Sequence, residues 1–313
     1  MKKLLINKYK PKIVNDLILD DVILKYIDKI VLTKKIPNSI FFGDCGTSKT
    51  TSLQCIIKEL YPNNNSIMEF KTFNDRGIKI NEKINIFCKQ KIIFEEKYSQ
   101  HRLIIFDDAD NISIKTQKII CSNIDKYQNC SFVFICNKLT SIDETIKSRC
   151  NIKHFKTNIN FIQKIQYICI NENIKYDIET LTYLYNIANK DYRMIINMLD
   201  LIINSNTVIT KNIINDLFGI PKYEIFEKLL NAIFNKDYST ISKLIIYFNS
   251  DGIFSFDVLY YFINFIIHYD KINEDQKIFL IDILSKKAFS MNTSICNNIQ
   301  LTSAIFSCIE FHI

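Results

Sequence analysis

The stretch SIFFGDCGTSKTTSL, residues 39–53, gathers the residue types that hold phosphate. Gly43 and Gly46, two of the chain's five glycines, lead through Thr47 and Ser48 to Lys49, Thr50 and Thr51. A glycine loop followed by a helix N-terminus turns backbone N–H groups into a nest for phosphate oxygens. A lysine at position 49 would reach β- and γ-phosphates, and the Thr50 hydroxyl would ligate Mg²⁺. The usual pattern G-x-x-x-x-G-K-S/T has glycine directly before the lysine, and here that position is Ser48. The plainer alternative is a glycine turn before a helix that happens to carry Lys-Thr.

A second group of residues suits the same chemistry. The run LIIFDDAD ends an apolar segment in Asp107 and Asp108. At a strand end, Asp107 would hold Mg²⁺ and Asp108 would polarise an attacking water. Acids at a helix N-terminus are the alternative, favoured there by the helix dipole. FVFICNK ends in Asn137, a neutral side chain able to orient water against a γ-phosphate. Arg149 in SRC and Arg193 in KDYRMIINMLD stand out because lysine supplies most of the positive charge. Arginine at such places suits bidentate phosphate contacts, and a solvated surface arginine is the alternative.

These residues need elements to position them. SIFFG (39–43), HRLIIFDDAD (101–110), SFVFICNK (131–138) and CNIKHFK (150–156) read as strands, with helix-like TSLQCIIKELY (51–61) and SIKTQKIICSNIDKY between them. Strand–helix alternation with buried apolar strands predicts an α/β domain with a mainly parallel sheet covered on both faces. Both the glycine loop and the acidic cluster then fall at strand ends, where such sheets bind ligands. From about residue 157 the pattern turns helical. NFIQKIQYICINE, DIETLTYLYNIANK and YRMIINMLDLIIN read as amphipathic helices, and five more helical segments follow FGIPK (218–222). The expected division is 1–156, 157–218 and 219–313.

Composition bounds the rest. A chain of 313 residues, 48% of them hydrophobic, is long enough for two or three folded domains. Its formal charge of +7 fits an anionic partner such as nucleic acid and equally fits an ordinary soluble protein. The ten cysteines form no C-x-x-C pair, so a zinc ribbon is not expected, and free thiols point to a reducing compartment. The start MKKLLINKYKPK lacks signal-peptide character, and the greasiest run, VLYYFINFII (258–267), is too short to span a bilayer. The expectation is an intracellular protein that is not secreted and has no membrane partner.

Taken in order, these segments resemble the AAA+ clamp loaders, specifically the small subunits of replication factor C, over nearly the whole chain. NKYKPKIVNDLILDD resembles the family's E-K-Y-R-P-K segment, which packs near the adenine and brings in Tyr9 and Pro11. The loop and its helix are similar to L-P-N-L-L-F-x-G-P-P-G-T-G-K-T-T. FNDRGI resembles part of N-A-S-D-E-R-G-I, FDDAD the F-D-E-A-D box, and FICN the sensor 1 strand. SRC resembles the arginine-finger box, and DYRMIINML the sensor 2 helix. The resemblance implies a P-loop sheet domain, a small helical lid and an all-helical collar. It implies a heteropentameric complex that uses ATP and Mg²⁺ to open a sliding clamp of the PCNA type. The clamp would close around primer–template DNA, gripped through phosphates by Arg76, Lys79 and Lys83. Lys49, Thr50, Asp107, Asn137 and Arg193 would serve this subunit's own ATP, and Arg149 a neighbour's. The setting would be a nucleus or the replication site of a large DNA virus.

The chain departs from that family at defined points. Ser48 adds a Cβ and a hydroxyl where the loop has glycine; crowding would weaken binding, while the hydroxyl could donate to phosphate. Asp44 stands in place of a proline and adds negative charge. Asp108 stands where the catalytic glutamate does, with a carboxylate set back by roughly an ångström, a misplacement able to cost on the order of 10²-fold in rate. Cys121 and Ser122 replace an arginine pair. Two readings stay open: a slow but working ATPase subunit, and a scaffold that lends Arg149 to its neighbour.

Overall fold

Apolar residues on the central strands alternate between two cores, and this period of two decides the first half of the fold. Strands β1 (Ser39–Phe42), β2 (Ile67–Lys71), β3 (Arg102–Asp107), β4 (Cys130–Cys136) and β5 (Asn151–His154) form one sheet in the order β2-β3-β4-β1-β5. All four pairings are parallel. Phe41, Leu103, Ile105, Val133 and Ile135 face one core; Ile40, Ile104, Phe106, Phe132 and Phe134 face the other. The computed structural model describes residues 4–61, 64–71, 77–90, 99, 101–156, 160–188, 190–205, 209–293 and 298–310.

Helices cover both faces. After the short α1 (Leu5–Lys8), helix α2 (Asp21–Thr33) buries Ile23, Ile27 and Ile30, spaced to share one face. It packs with α3 (Lys49–Leu60) on one side of the sheet. On the other side lie α4 (Gly77–Lys89) and α5 (Ile114–Lys126), whose N-cap Ser113 accepts from the Thr116 N–H. There Phe70, Phe106 and Phe134 stack across β2, β3 and β4 with centroids 5.1 Å apart. Such ring pairs add about 0.5–1.5 kcal/mol each beyond burial. The short α6 (Glu144–Lys147) precedes β5, and α7 (Asn160–Asn171), α8 (Ile178–Ile187) and α9 (Tyr192–Ser205) follow it.

The chain divides into two compact units, Met1–Ile209 and Thr210–Ile313. The second unit is helical among its described residues: α10 (Lys211–Phe218), α11 (Tyr223–Phe234), α12 (Tyr238–Ser250), α13 (Ser255–Ile267), α14 (Glu274–Thr293) and α15 (Asn298–Ser307). Thr210 caps the start of α10, and Gly219 ends it at φ +63°, a conformation that suits glycine. Phe226, Leu229, Phe248, Leu259, Phe262 and Leu284 center the core of this unit.

The four strands read from the sequence are present. Strand β2 is the addition: it lies at the sheet edge, only Phe70 along it is buried, and IMEFK shows no continuous apolar run. Strand β4 lies between β3, which ends in Asp107, and β1, which leads into the glycine loop.

Candidate nucleotide-binding site

The loop between β1 and α3 is fixed by close approaches that only glycine allows. Gly43 has φ +148°, and a Cβ there would meet the Phe155 carbonyl oxygen at 2.1 Å. Gly46 has φ +73°, and a Cβ would meet Asp191 Oδ1 at 2.2 Å and the Tyr192 nitrogen at 2.8 Å. So the loop glycines also let β5 and the start of α9 close against the loop. Ser48 adopts φ 69°, ψ 16°, the left-handed conformation, immediately before α3. A residue with a Cβ costs about 1 kcal/mol there relative to glycine.

Beyond Ser48 the loop is held by hydrogen bonds. The Thr47 hydroxyl donates to the Asp44 carbonyl at 2.8 Å. Buried Lys49 donates from Nζ to the carbonyls of Gly43 and Asp44, both at 2.7 Å, and to Asn137 Oδ1 at 3.1 Å. Burial pulls its pKa down, opposed by the charges of nearby acids and thiols. The lysine therefore ties the loop to the end of β4. Thr50 Oγ1 donates to Asp107 Oδ1 at 3.3 Å, tying the loop to β3.

Asp107 has its pKa raised by burial first and then by the charge of Asp108, with the Asp108 N–H and the Thr50 hydroxyl acting in the other direction. That costly placement suits a carboxylate that a cation would neutralise. Asp108 is exposed, with φ 53° in the left-handed region. Asp110 is a site residue that the sequence reasoning did not single out. Its carboxylate accepts from the backbone N–H groups of Asn137 and Lys138 at 2.6 and 2.9 Å, and from the Ser141 hydroxyl at 2.7 Å. It fixes the turn that presents Asn137.

Tyr9 and Pro11 line the same cleft as Lys49, and the Tyr9 hydroxyl donates to Glu172 Oε1 at 2.5 Å just beyond α7. Lys8 reaches the same oxygen at 2.5 Å. Phe161 and Tyr192 stack at 5.2 Å, and Arg193 lines the cleft at the start of α9, where Asp191 accepts from its backbone N–H at 2.8 Å. The cleft holds about 420 Å³, a size suited to a small ligand. Gly46 through Thr51, Asp107, Asp108 and Asn137 meet around it; Gly43 supports the loop from behind. Among the described residues no three His, Cys, Asp or Glu side chains converge as a metal site. Thr50 and Asp107 alone fit Mg²⁺, which keeps several waters and takes phosphate oxygens as partners.

Arg149 lies elsewhere. It precedes β5 at the amino ends of the parallel strands, whereas the phosphate loop leaves the carboxyl end of β1. Its Nε donates to Asp125 Oδ1 at 2.7 Å and an Nη to the Thr145 carbonyl at 2.9 Å, with 37% of the side chain exposed. Lys79 and Lys83 are exposed on α4; Arg76 falls outside the described residues. Cys121 is buried, its thiol donating to the Thr145 carbonyl at 3.7 Å, while Ser122 is exposed on the adjacent face.

Comparison with known proteins gives the family of the chain. Residues 39–158 match the family model described as ATPase family associated with various cellular activities, and residues 221–307 match the replication factor C C-terminal domain. A replication factor C small subunit of Acanthamoeba polyphaga mimivirus is 30% identical, covering 96% of this chain and 94% of that protein. The chain belongs to the replication factor C small-subunit family. Replication factor C subunit 2 of Saccharomyces cerevisiae is 26% identical over 79% of this chain and 76% of its own. A mutant RuvB of Thermotoga maritima shares the fold, with a TM-score of 0.50 at 11% identity, covering 72% of this chain and 80% of that one. The chain is thus a clamp-loader small subunit with a nucleotide-binding AAA+ fold, made to act in a multi-subunit complex. Among the described residues no helix is long and apolar enough to cross a membrane.

Proposed function

We propose that this subunit binds ATP with Mg²⁺ in the cleft around Lys49 and hydrolyses it once assembled with its partners. The observation that carries the proposal is the double tie of the loop, Lys49 to Asn137 and Thr50 to Asp107. It gathers a cation, a hydroxyl, a carboxylate and a neutral amide at one end of the cleft, which supports reading that end as the phosphate site. The backbone N–H groups of residues 46–51 cradle the phosphates. Thr50 and Asp107 hold Mg²⁺, which when bound neutralises charge on the phosphates. Asp108 polarises the attacking water, Asn137 orients it, and Arg193 contacts the γ-phosphate. Tyr9 and Pro11 sit at the base.

Arg149 serves the neighbouring subunit's ATP. Its place at the opposite ends of the strands keeps it from this chain's own cleft and supports action in trans. The assembly is a heteropentamer in which residues 1–156 bind nucleotide, 157–218 form the lid and 219–313 the collar. It opens a sliding clamp of the PCNA type and loads it onto primer–template DNA. Lys79, Lys83 and Arg76 contact phosphates, so binding to DNA is salt-sensitive and sequence-blind. The setting is the nucleus or a viral replication site.

A second reading, a nucleotide-locked scaffold lending Arg149, draws on the left-handed backbone of both Ser48 and Asp108. Binding of a fluorescent ATP analogue to wild type and Lys49→Ala tests the site itself. Loss of binding in the variant is expected, and unchanged binding would remove Lys49 from the site.

A further inference from the structure

Glu172 follows α7 directly, and its backbone N–H still donates to the Ile168 carbonyl at 3.0 Å as in the helix. A carboxylate is disfavoured at the carboxyl end of a helix, where the dipole is negative. Yet this one is largely buried, with 11% of its side chain exposed. One oxygen, Oε1, accepts from both the Tyr9 hydroxyl and Lys8 Nζ, each at 2.5 Å. Asn173 at φ 55° and buried Ile174, whose N–H donates to the Cys169 carbonyl at 2.8 Å, fix the turn that follows. The acceptor therefore stands on a well-held helix end, 163 residues from the tyrosine it meets.

The two partners contribute unequally. Lys8 is half exposed, and an exposed ion pair of this kind adds little. The Tyr9 bond is partly buried, and a charged acceptor makes such a bond roughly twice as strong as a neutral one. Burial first, and then the bond to Glu172, raise the Tyr9 pKa, so the phenol keeps its proton and donates. Tyr9 itself lines the cleft, directly after the four-residue α1, an element too short to be stable alone.

What the ring faces follows from its neighbours. The Pro11 carbonyl accepts from the Cys55 thiol at 3.6 Å, a full turn beyond Thr51 on α3, so this segment lies past the phosphate loop. Ile6, Ile18 and Ile196 line the cleft with Tyr9 and Pro11, an apolar and aromatic surface that suits a flat nucleobase. Glu172 does not line the cleft and meets it through Tyr9.

We infer that Glu172 is a positioning residue of the nucleotide site: it holds the Tyr9 ring as a wall for the nucleobase without touching the ligand. The inference rests on the nucleotide reading of the cleft.

The test uses the full chain as wild type, Glu172→Ala, Glu172→Gln, Tyr9→Phe and the Glu172→Ala/Tyr9→Phe double variant. The probes are ATP and ribose 5′-triphosphate, which keeps sugar and phosphates but has no base. Isothermal titration gives the dissociation constants, and thermal melting checks that each protein is folded. Glu172→Ala and Tyr9→Phe should each bind ATP about fivefold to tenfold more weakly, the worth of one hydrogen bond. The double variant should lose no more than either single change, because both remove the same bond. Glu172→Gln keeps an acceptor for the hydroxyl and should recover most of the ATP affinity, and ribose triphosphate affinity should be unchanged throughout. Unaltered ATP affinity in Glu172→Ala would overturn the inference. So would additive losses in the double variant, or a loss in Glu172→Gln as large as in Glu172→Ala, since either separates Glu172 from the Tyr9 hydroxyl. Equal losses for both probes would overturn it as well, marking a purely structural role. Wild-type protein that binds neither probe would instead overturn the nucleotide reading itself.

Discussion

Ser48 and Asp108 occupy the two positions nearest to chemistry where this chain leaves its family's pattern, and both adopt left-handed backbone. Aspartate tolerates that region better than most side chains, and serine less well. Ser48→Gly should therefore relieve about 1 kcal/mol of backbone strain in the loop. The expected result is a higher melting temperature and ATP binding at least as tight as wild type, read by thermal denaturation and titration. Weaker binding would show that the serine hydroxyl donates to phosphate. Asp108→Glu restores the longer carboxylate and should raise single-turnover hydrolysis in the assembled complex by as much as about 10²-fold, leaving ATP affinity unaltered. No gain would move the limit to Ser48.

At the scale of elements, the site depends on three parallel strands ending in register. The β1 exit carries the loop, β4 carries Asn137, and β3 carries Asp107, with β4 in the middle. Asp110 locks the β4 exit to the end of β3 through three hydrogen bonds. Asp110→Ala should let that turn move and lower hydrolysis by about tenfold or more, while ATP affinity changes by less than about threefold. Single-turnover assays beside equilibrium binding separate the two effects; a matching fall in affinity would make Asp110 a general support of the fold.

This scale also shows why parts of the site were legible in sequence. Continuous apolar runs announce strands buried on both faces, as at Phe132–Cys136, and a glycine loop after one announces phosphate. The edge strand β2 gave no such signal because solvent covers much of it. Asp110 and Glu172 were silent for another reason: their partners are backbone N–H groups or a tyrosine far off in sequence, and spacing carries no trace of either.

At the scale of the whole molecule, the two compact units have separate cores and should fail separately. Phe226 is 3% exposed at the center of the second unit. Phe226→Ala should cost about 3–5 kcal/mol there. The expected outcome is a lower-temperature transition and reduced incorporation into the complex, with ATP binding retained by the first unit. Calorimetric melting and co-purification with partner subunits check this; loss of ATP binding at the same temperature would mean that the units unfold as one.

The most direct test of the account is single-turnover ATP hydrolysis by the purified chain, alone and assembled with its partner subunits. Lys49→Ala and Arg149→Ala are measured beside wild type. The account predicts ATP binding by the chain alone and hydrolysis at its site only after assembly. Lys49→Ala should lose both. Arg149→Ala should keep its own binding yet lower turnover at a neighbouring site by about 10³-fold or more. Tight binding with no turnover at this site in the full complex would contradict the account and make the chain a nucleotide-locked scaffold.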